Sequence, residues 1–585
     1  MLTIFDFAPV HRHGRIHATS PFETQLMSRI NHFIVLLLSL TLAACAVAPK
    51  QPDEITLSII GTNDVHGAIA ASDEAGGLVA VSAYVDALRR ARAADGGAVL
   101  LIDAGDMWQG TLESNLVEGA AVVEAYNAMG VTAAAIGNHE FDFGPEGPNA
   151  IPLEEGEDPR GNLKQRAREA AFPLLAANLI DDTSGEPVAW DNVQPSILID
   201  AAGIKVGVVG VVTANALTTT IAANISNLSI APLADTIAAQ ARKLRDDGAV
   251  LIVVAAHAGG KCTDFSDRQD LSSCDMSAEI MQVASRLEPG LVDYIIGGHQ
   301  HNPIAHIVNG TPITSNHANT FSFGRVDFRV DPGTQRVISR QVFAPQPTKF
   351  DAQTTYAGYP LVANPDVEAV AQIASARAVA LKQESLGVTL TGPFNLVPDV
   401  ESAIGNLMTE AMLASFDADV AIHNVFGGIR SDLPPGELTY GEVFEMFPFD
   451  NIVTIHEVSG LELQEVIARH VRERRKPGFA GMRVFVSCDN GRMNIDMRLN
   501  DGRVIGDDDR VRVVANDYLA LGGDGILTPA FRGEDFELRY DMPLTRDALV
   551  SWFRAGPDTL APEDFRSHDA PKWNVPDITP GACEY

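Results

Sequence analysis

The sequence predicts an α/β protein with two domains joined by a helix. The chain has 585 residues, which is too long for a single hydrophobic core. Short apolar, β-branched runs alternate with helix-like stretches over residues 55–343, and the same alternation returns over residues 388–553. This alternation is typical of α/β domains. Residues 366–383 are rich in Ala, Val and Glu and follow Pro365, so we expect an amphipathic connecting helix there.

The composition excludes wholesale disorder and argues against nucleic-acid binding. Hydrophobic residues make up 46% of the chain and charged residues 20%, which is the mixture of a globular protein. Lys and Arg number 43 against 76 Asp and Glu, so the formal net charge is -33. A surface this acidic repels phosphate backbones, and we expect no nucleic-acid partner. A small anionic ligand would need local positive charge from metal ions or from a few arginines.

The N-terminus predicts export and a lipid anchor. The apolar run 33–44 is too short to span a bilayer but suits the core of a signal peptide, with Arg29 as its positive charge. The run leads into a Leu-Ala-Ala-Cys sequence that resembles a bacterial lipobox, with Cys45 as the lipidated residue. Met27 is the expected start of the chain. The alternative to a signal peptide is a buried helix near the N-terminus. We expect a periplasmic or cell-surface protein that is anchored to a membrane through lipid on Cys45.

The other cysteines predict disulfides. Four remain besides Cys45, and an even number in an exported protein favours pairing. Cys262 and Cys274 bracket a short acidic loop, so we expect them to pair. Cys488 and Cys583 then pair by elimination, and four free thiols are the alternative. None of the four belongs to a Cys-x-x-Cys sequence, so neither a redox motif nor a zinc finger is supported.

Five clusters of polar residues each follow an apolar run of the first domain. They are Asp64-Val65-His66, Gly105-Asp106, Gly137-Asn138-His139-Glu140-Phe141-Asp142, His257 and Gly298-His299-Gln300-His301. A single histidine at a strand end is more often structural. Five such clusters in succession indicate a metal site, and their carboxylates, imidazoles and amide oxygen suit Zn, Mn, Fe or Co better than Mg or Ca.

Two of these segments carry a family resemblance. Residues 105–111, Gly-Asp-Met-Trp-Gln-Gly-Thr, and residues 137–144, Gly-Asn-His-Glu-Phe-Asp-Phe-Gly, closely resemble motifs of the 5′-nucleotidase/UDP-sugar hydrolase family within the metallophosphoesterase superfamily. The resemblance implies an N-terminal four-layer α/β/β/α sandwich with two metals and a C-terminal α/β domain that binds substrate. The expected segments are a signal peptide (1–45), a tether (46–53), a dimetal domain (54–345), a connector with a helix (346–385), a substrate domain (386–555) and a tail (556–585).

The resemblance implies two divalent transition metal ions, Zn, Mn or Co, each held by three side chains and joined by a shared carboxylate. The first set is Asp64, His66 and His301, the second is Asn138, His257 and His299, and the shared carboxylate is Asp106. Two cations close together need such a carboxylate to offset their repulsion. His139 would act on the phosphoryl or leaving-group oxygen while Asp142 orients its ring, and a structural pair is the alternative.

In the second domain the resemblance implies substrate-binding residues. Arg430, with Gly427 and Gly428 in its loop, would bind phosphate. Phe449 and Tyr518 would stack on a nucleobase. Asp524 would accept the ribose hydroxyls.

These features together predict a dimetal phosphohydrolase that acts on 5′-nucleotides outside the cytoplasm. The chain has fewer arginines near the expected phosphate than the family usually has. A cyclic nucleotide, a nucleotide sugar or another ester is therefore an alternative substrate. A non-catalytic nucleoside-binding lipoprotein is the alternative of another class, but it would not need the full set of ligands plus His139.

Overall fold

The computed structural model describes residues 54–147, 149–397, 401–473, 476–489, 491–528, 530, 542–567 and 569–575. The predicted signal peptide, the lipobox residue Cys45 and the tail residue Cys583 lie outside this part of the chain. Among the described residues, no helix is both long and apolar enough to cross a bilayer.

The first domain contains two stacked sheets. From edge to edge, the first consists of Arg336–Val342, Ser322–Asp331, Ile55–Thr62, Ala98–Asp103, Ala133–Ala135, Leu174–Leu175 and Val193–Gln194, with Gln346–Pro347 also paired to Ser322–Asp331. The second consists of Ile304–Val308, Thr311–Ser315, Tyr294–Gly297, Leu251–His257, Ile204–Val212 and Ser196–Ala201. Central strands of both sheets run parallel, so their carboxyl ends lie along one edge of each sheet.

Helices cover the outer face of each sheet. The first sheet carries Gly77–Asp95 and Ala120–Met129, and the second carries Leu233–Asp246 and Glu279–Arg286; shorter helices are Leu112–Asn115 and Gly161–Glu169. Successive side chains of a strand point to opposite faces. Ile59 and Val253 accordingly pack between the sheets, whereas Ile60 and Val254 pack under the helices. The domain is the expected four-layer α/β/β/α sandwich.

The described residues of the second domain form a smaller α/β unit with three sheets. Its strands, sheet by sheet, are Val453–Ser459, Arg510–Asn516, Val420–His423 and Gly478–Ala480; Gly436–Thr439, Ser385–Leu390 and Thr559–Leu560; and Arg492–Leu499, Met482–Asp489 and Trp573–Asn574. Its helices are Ala403–Ser415, Tyr440–Met446, Gly460–Glu473, Asp517–Ala520, Thr545–Ala555 and Pro562–Phe565. Two of these strands come from the segment expected to be a tail, which is therefore partly integral to the domain.

A helix, Pro365–Lys382, joins the two domains. The side chain of Asn364 caps it by accepting a backbone N–H of the first turn at 3.0 Å. Val370 packs into the core of the first domain, while Ala378 packs against Phe444 of the second. The connecting helix thus contacts both domains.

Cys262 and Cys274 form a disulfide, as the sequence predicts. Cys488 is also disulfide-bonded. Because Cys583 lies outside the described residues, the pairing of Cys488 with Cys583 stays a prediction.

Candidate active site

The predicted metal ligands lie where strands end, at one edge of the two stacked sheets. Asp64 and His66 follow Ile55–Thr62, Asp106 follows Ala98–Asp103, Asn138 follows Ala133–Ala135, His257 ends Leu251–His257, and His299 and His301 follow Tyr294–Gly297. Five of them have left-handed backbone conformations, namely Asp64, His66, Asp106, His299 and His301, with φ between 48° and 75°. A left-handed backbone is uncommon for non-glycine residues, yet five of the seven predicted ligands share it.

One group consists of Asp64, His66 and His301, whose ligand atoms lie within 4.8 Å of one another. The Nε2 atoms of the two histidines are 3.0 Å apart, and His301 Nε2 is 3.6 Å from Asp64 Oδ1. Burial lowers the pKa of His66 to about 3, although Asp106 opposes this shift, and it lowers the pKa of His301 well below the ordinary value. Both imidazoles are therefore neutral, which is the form that binds a metal ion.

A second group consists of Asp106, His257 and His299, again with ligand atoms within 4.8 Å of one another. Asn138 belongs to it, because its Oδ1 is 3.0 Å from His257 Nε2 and 3.0 Å from His299 Nδ1. Burial lowers the pKa of His257, but the carboxylates of Asp106 and Asp64 outweigh it and raise that pKa to about 10. The carboxylates of the centre thus attract positive charge strongly.

Asp106 lies between the two groups. Its Oδ2 is 3.1 Å from His257 Nε2 and 4.0 Å from His66 Nε2, while Oδ1 accepts the backbone N–H of His139 at 2.9 Å. Burial raises the pKa of Asp106, but the neighbouring histidines outweigh it and hold that pKa well below the ordinary value. An ionised carboxylate that faces both groups has the position a bridging ligand needs.

Hydrogen bonds of two ring nitrogens that face away from the centre support a fit between this donor set and a pair of divalent transition metal ions. His66 and His257 donate their Nδ1–H groups to the carbonyl oxygens of Gln109 and Ala104, both at 2.8 Å, so each Nε2 faces the centre. Such bonds orient the histidines of metal sites. The mixture of imidazole, carboxylate and amide oxygen favours Zn, Mn or Co over Mg or Ca.

His139 lies beside both groups and contacts Asp142. Its Nδ1 is 2.6 Å from Asp142 Oδ2, and Asp142 Oδ1 accepts the hydroxyl of Thr220 at 3.0 Å. Burial lowers the pKa of His139, but Asp142 and Asp106 outweigh it, so that the pKa is raised. The ring is therefore held in one orientation at the edge of the metal groups, and it retains a proton more readily than a free histidine.

Two residues of the second domain reach His139. Arg430 Nη2 is 2.9 Å from His139 Nε2, and because a guanidinium can only donate, Nε2 accepts this hydrogen bond. The ring of Phe449 stacks on that of His139 with 5.9 Å between centroids and 26° between planes. The Arg430 guanidinium also lies 5.1 Å from the centroid of the Phe449 ring. The two domains therefore meet at the predicted metal centre.

Family models match both domains. The calcineurin-like phosphoesterase model matches residues 57–303, which contain every predicted metal ligand, and the model of the 5′-nucleotidase C-terminal domain matches residues 387–532, which contain Arg430 and Phe449. The chain thus combines a calcineurin-like phosphoesterase domain with a 5′-nucleotidase C-terminal domain. Calcineurin-like phosphoesterases use a dimetal centre, and this chain is accordingly a metal-dependent phosphoester hydrolase.

The chain is similar to endonuclease YhcR of Bacillus subtilis, with 26% identity over 540 residues that cover 88% of the chain but only 41% of YhcR. It is 28% identical to a 5′-nucleotidase of Vibrio vulnificus over 530 residues, which cover 83% of the chain and 89% of that protein. The solved structure of the 5′-nucleotidase precursor from Thermus thermophilus has a TM-score of 0.66 at 21% identity and covers 87% of this chain and 99% of that one. That structural likeness shows a shared fold.

Glu140 organises the phosphoesterase centre, although the sequence pattern assigns it no role. Its buried carboxylate accepts the backbone N–H groups of Asp106 and Met107 at 2.8 Å each and that of Gly137 at 2.6 Å. Burial and the charge of Asp106 raise the pKa of Glu140 to about 8. These bonds tie the loop of Asp106 to the turn that carries Asn138. The signal in the sequence was its position inside the polar cluster 137–142, between His139 and Asp142.

The loop with Gly427 and Gly428 lies against Asp524. Asn424 of this loop donates its side-chain N–H to Asp524 Oδ2 at 2.8 Å. Gly427 has φ +81°, and a side chain at Gly428 would collide with Asn424. The backbone conformation therefore favours glycine at 427, and the contact with Asn424 requires glycine at 428.

The two predicted stacking residues are held in different ways. Tyr518 lies against Gly523 and donates its hydroxyl to the carbonyl of Thr218 in the first domain at 3.3 Å. Phe449 instead packs on His139, and Arg546 donates to the carbonyl of Phe449 at 3.0 Å. Arg546, which the sequence pattern does not single out, therefore fixes the backbone of Phe449. The ring of Phe449 faces the centre.

Proposed function

We propose that this chain is an exported nucleotidase that releases phosphate from nucleotides. The meeting of Arg430 and Phe449 with His139, beside the two ligand groups, carries this proposal. A guanidinium suits a phosphate and an aromatic face suits a nucleobase, and both lie next to the hydrolytic centre. The similarity to a protein named as a 5′-nucleotidase supports the same substrate class.

The proposal assigns each ion three ligands and one shared carboxylate. The sets are Asp64, His66 and His301; Asn138, His257 and His299; and Asp106 for both ions. When bound, two such ions polarise a phosphoryl group and activate water. Because the high pKa of His257 arises from the charges of Asp106 and Asp64, a cation at this position would displace the proton of His257.

The residues of this chain would then bind and orient the phosphoryl group. Arg430, which now donates to His139 Nε2, would instead donate to the oxygens of the phosphoryl group, and this would leave Nε2 free to carry a proton. Asp142 would keep the His139 ring in place through Nδ1, which directs Nε2 towards the same group. Because Asp142 and Asp106 raise the pKa of His139, its Nε2 would hold a proton for the phosphoryl or leaving-group oxygen.

The second domain would select the substrate. Phe449 and Tyr518 would stack on the base, and Asp524 would accept the ribose hydroxyls. Gly427 and Gly428 would let the backbone approach the ligand.

Location outside the cytoplasm completes the proposal. The Cys262–Cys274 disulfide supports an oxidising compartment. The lipobox would place a lipid on Cys45, and a Cys45→Ser variant should then lose its covalent lipid and its processing at that site. Covalent lipid on the Cys45→Ser variant, detected by mass spectrometry, would contradict the anchor.

A substrate panel tests the function. The purified chain is stripped with a chelator and reconstituted separately with Zn, Mn or Co. Hydrolysis of nucleoside mono-, di- and triphosphates, cyclic nucleotides, UDP-sugars and an aryl phosphate is then compared through kcat/KM. We expect nucleoside monophosphates to have the highest value. Equal values for the aryl phosphate and the nucleotides would remove the nucleotidase assignment, and no hydrolysis with any metal would remove the metal-dependent centre as well.

A further inference from the structure

A third group of potential ligand atoms lies outside the active site. The sulfur atoms of Cys262 and Cys274 and a ring nitrogen of His306 lie within 4.8 Å of one another. The two sulfurs are joined in a disulfide, so in this form they bind each other. Cys262 and His306 are buried, and Cys274 is partly buried. The group is thus a compact Cys-Cys-His cluster in which two members are covalently occupied.

The disulfide explains why the two cysteines are close together, but it does not explain the buried imidazole of His306. Its side chain belongs to the strand Ile304–Val308 and has 0% exposure. Within the described part of the chain, neither ring nitrogen has a hydrogen-bond partner of ordinary geometry, although the backbone of Asp264 is near enough to act on the ring. Buried polar atoms without such partners are uncommon in native proteins and call for a reason. An imidazole beside two sulfurs has such a reason if the sulfurs and the ring share a metal ion.

The backbone holds this cluster together independently of the S–S bond. Cys262 donates its N–H to the carbonyl of Pro303 at 3.1 Å, and Ile307 donates to the carbonyl of Arg268 at 2.9 Å. The cysteine loop therefore lies along the strand that carries the histidine. Cys262 and Cys274 also face each other across an antiparallel bridge. Reduction of the disulfide breaks none of these contacts, so all three ligands stay close to one another.

The surrounding charges favour a cation at this position. Asp264 and Asp270 both act electrostatically on His306, and Arg268 is the positive group that opposes them. Two carboxylates against one guanidinium leave the surroundings of the cluster negative. Two thiolates and one imidazole form a set typical of zinc sites, with the fourth position left for water or a neighbouring carboxylate.

We propose that the reduced form of this segment is a metal site, in which Cys262, Cys274 and His306 bind one Zn²⁺ or another thiophilic divalent ion. With a phosphine as the reductant, the S–S bond gains two electrons, one water molecule supplies two protons for the thiols, and its oxygen leaves as phosphine oxide. Binding of the cation then releases the two thiol protons. The disulfide and the metal complex exclude each other because each uses both sulfurs.

Cobalt absorption tests the proposal on the full chain. The protein, loaded at its active site, is titrated with Co²⁺ with and without a phosphine. We expect one further equivalent to bind only after reduction, with thiolate-to-cobalt charge-transfer absorption in the near ultraviolet. The active-site residues offer nitrogen and oxygen alone, so they do not contribute to this band. Added Zn²⁺ should abolish the band because it displaces Co²⁺ from thiolates.

Variants separate this cluster from the other thiols. Cys274→Ser should remove the band, whereas Cys488→Ser, the matched control, should keep it. His306→Gln should keep thiolates but weaken Co²⁺ binding by at least about 10-fold. Hydrolysis of an aryl phosphate before and after reduction reports whether the chain stays folded.

Several results would overturn the proposal. The first is the absence of a charge-transfer band in the reduced chain. The second is a band that survives Cys274→Ser or disappears in Cys488→Ser. The third is loss of hydrolysis on reduction alone, since the proposal requires the reduced loop to keep its place. Unchanged Co²⁺ affinity in His306→Gln would show that the imidazole is a packing residue against Phe265, whose ring centroid lies 5.7 Å away.

Discussion

The two domains contribute to one site but build their parts of it differently. In the first, the predicted ligands lie at the ends of buried strands, and Asp64, Asp106 and His257 are at most 1% exposed. In the second, the predicted substrate residues lie on loops and in short helical segments, and Phe449 and Tyr518 are only partly buried. Under the proposed function, the strand ends hold the residues of the reaction and the second domain holds those that select the substrate, and a loop can change without moving the core.

The same contrast appears in how the residues are tied down. Asp106 is fixed by its histidine neighbours and, through its backbone, by Glu140. Arg430 and Phe449 reach the centre mainly through their contacts with His139 across the domain boundary. Changes in the first domain should therefore abolish hydrolysis, and changes in the second should alter its selectivity.

Asp106→Ala should have the largest effect. Losing the carboxylate that faces both groups should lower kcat by about 10³-fold or more, because several kcal/mol of transition-state stabilisation depend on the metals. Bound metal, measured by mass spectrometry of the purified chain, should fall as well. Asp95→Asn, an exposed carboxylate of the same domain, is the control and should change neither quantity. Full metal content in Asp106→Ala would contradict the bridging position.

His139→Ala should come next, with kcat reduced by about 10²–10⁴-fold and both metals retained. The metals stay because His139 contacts Asp142 and Arg430 rather than belonging to either ligand group. Asp142→Asn should have a smaller effect, since the amide oxygen can still accept the Nδ1–H of His139. Metal loss in His139→Ala would instead make His139 a ligand.

Phe449→Ala and Tyr518→Ala should each raise KM for a nucleotide by about 5–150-fold, which corresponds to roughly 1–3 kcal/mol of stacking per base. This energy acts equally in the ground and transition states, so kcat should change little. An aryl phosphate without a base should be hydrolysed as before. Phe485→Ala, in a sheet of the same domain, serves as the control. Equal losses on both substrates would mean that the two rings support the fold instead.

The smallest effect concerns stability and Asp517, the residue before Tyr518. Burial raises the pKa of this carboxyl from 3.8 to about 6, although Asn451 donates to it at 2.8 Å. The folded state therefore keeps this proton to a higher pH than the unfolded chain does. Stability should fall as the pH rises from about 4 to about 6, by up to about 3 kcal/mol from this group.

Asp517→Asn should remove that part of the pH dependence, because the amide oxygen can still accept from Asn451 without becoming charged. Denaturant unfolding of the metal-free protein at both ends of this pH range measures the difference between the variant and the parent chain. Asp508→Asn, an exposed carboxylate, should follow the parent. If the free energy of unfolding depends on pH in the same way for Asp517→Asn and the parent, Asp517 is already ionised in the folded state at low pH.

The outline of the first domain and the location of its polar clusters could be predicted from local patterns. The apolar run that precedes each of the five polar clusters is a strand. The strand from Ala98, for instance, stops at Asp103 because Gly105 turns with φ +94°. The ligands could be named because each lies within a few residues of a strand end, and parallel strands bring those ends to one edge.

Contacts between distant parts of the chain could not be predicted in this way. Glu140 holds the Asp106 loop, Phe449 packs on His139, Trp573 pairs into a sheet from the expected tail, and His306 lies buried beside the cysteines. Hydrophobic periodicity reports only which face of an element is buried, not which remote element covers it. The sequence by itself therefore determined the kind of chemistry at the strand ends, and only the tertiary structure decided which side chains hold, cover and complete that site.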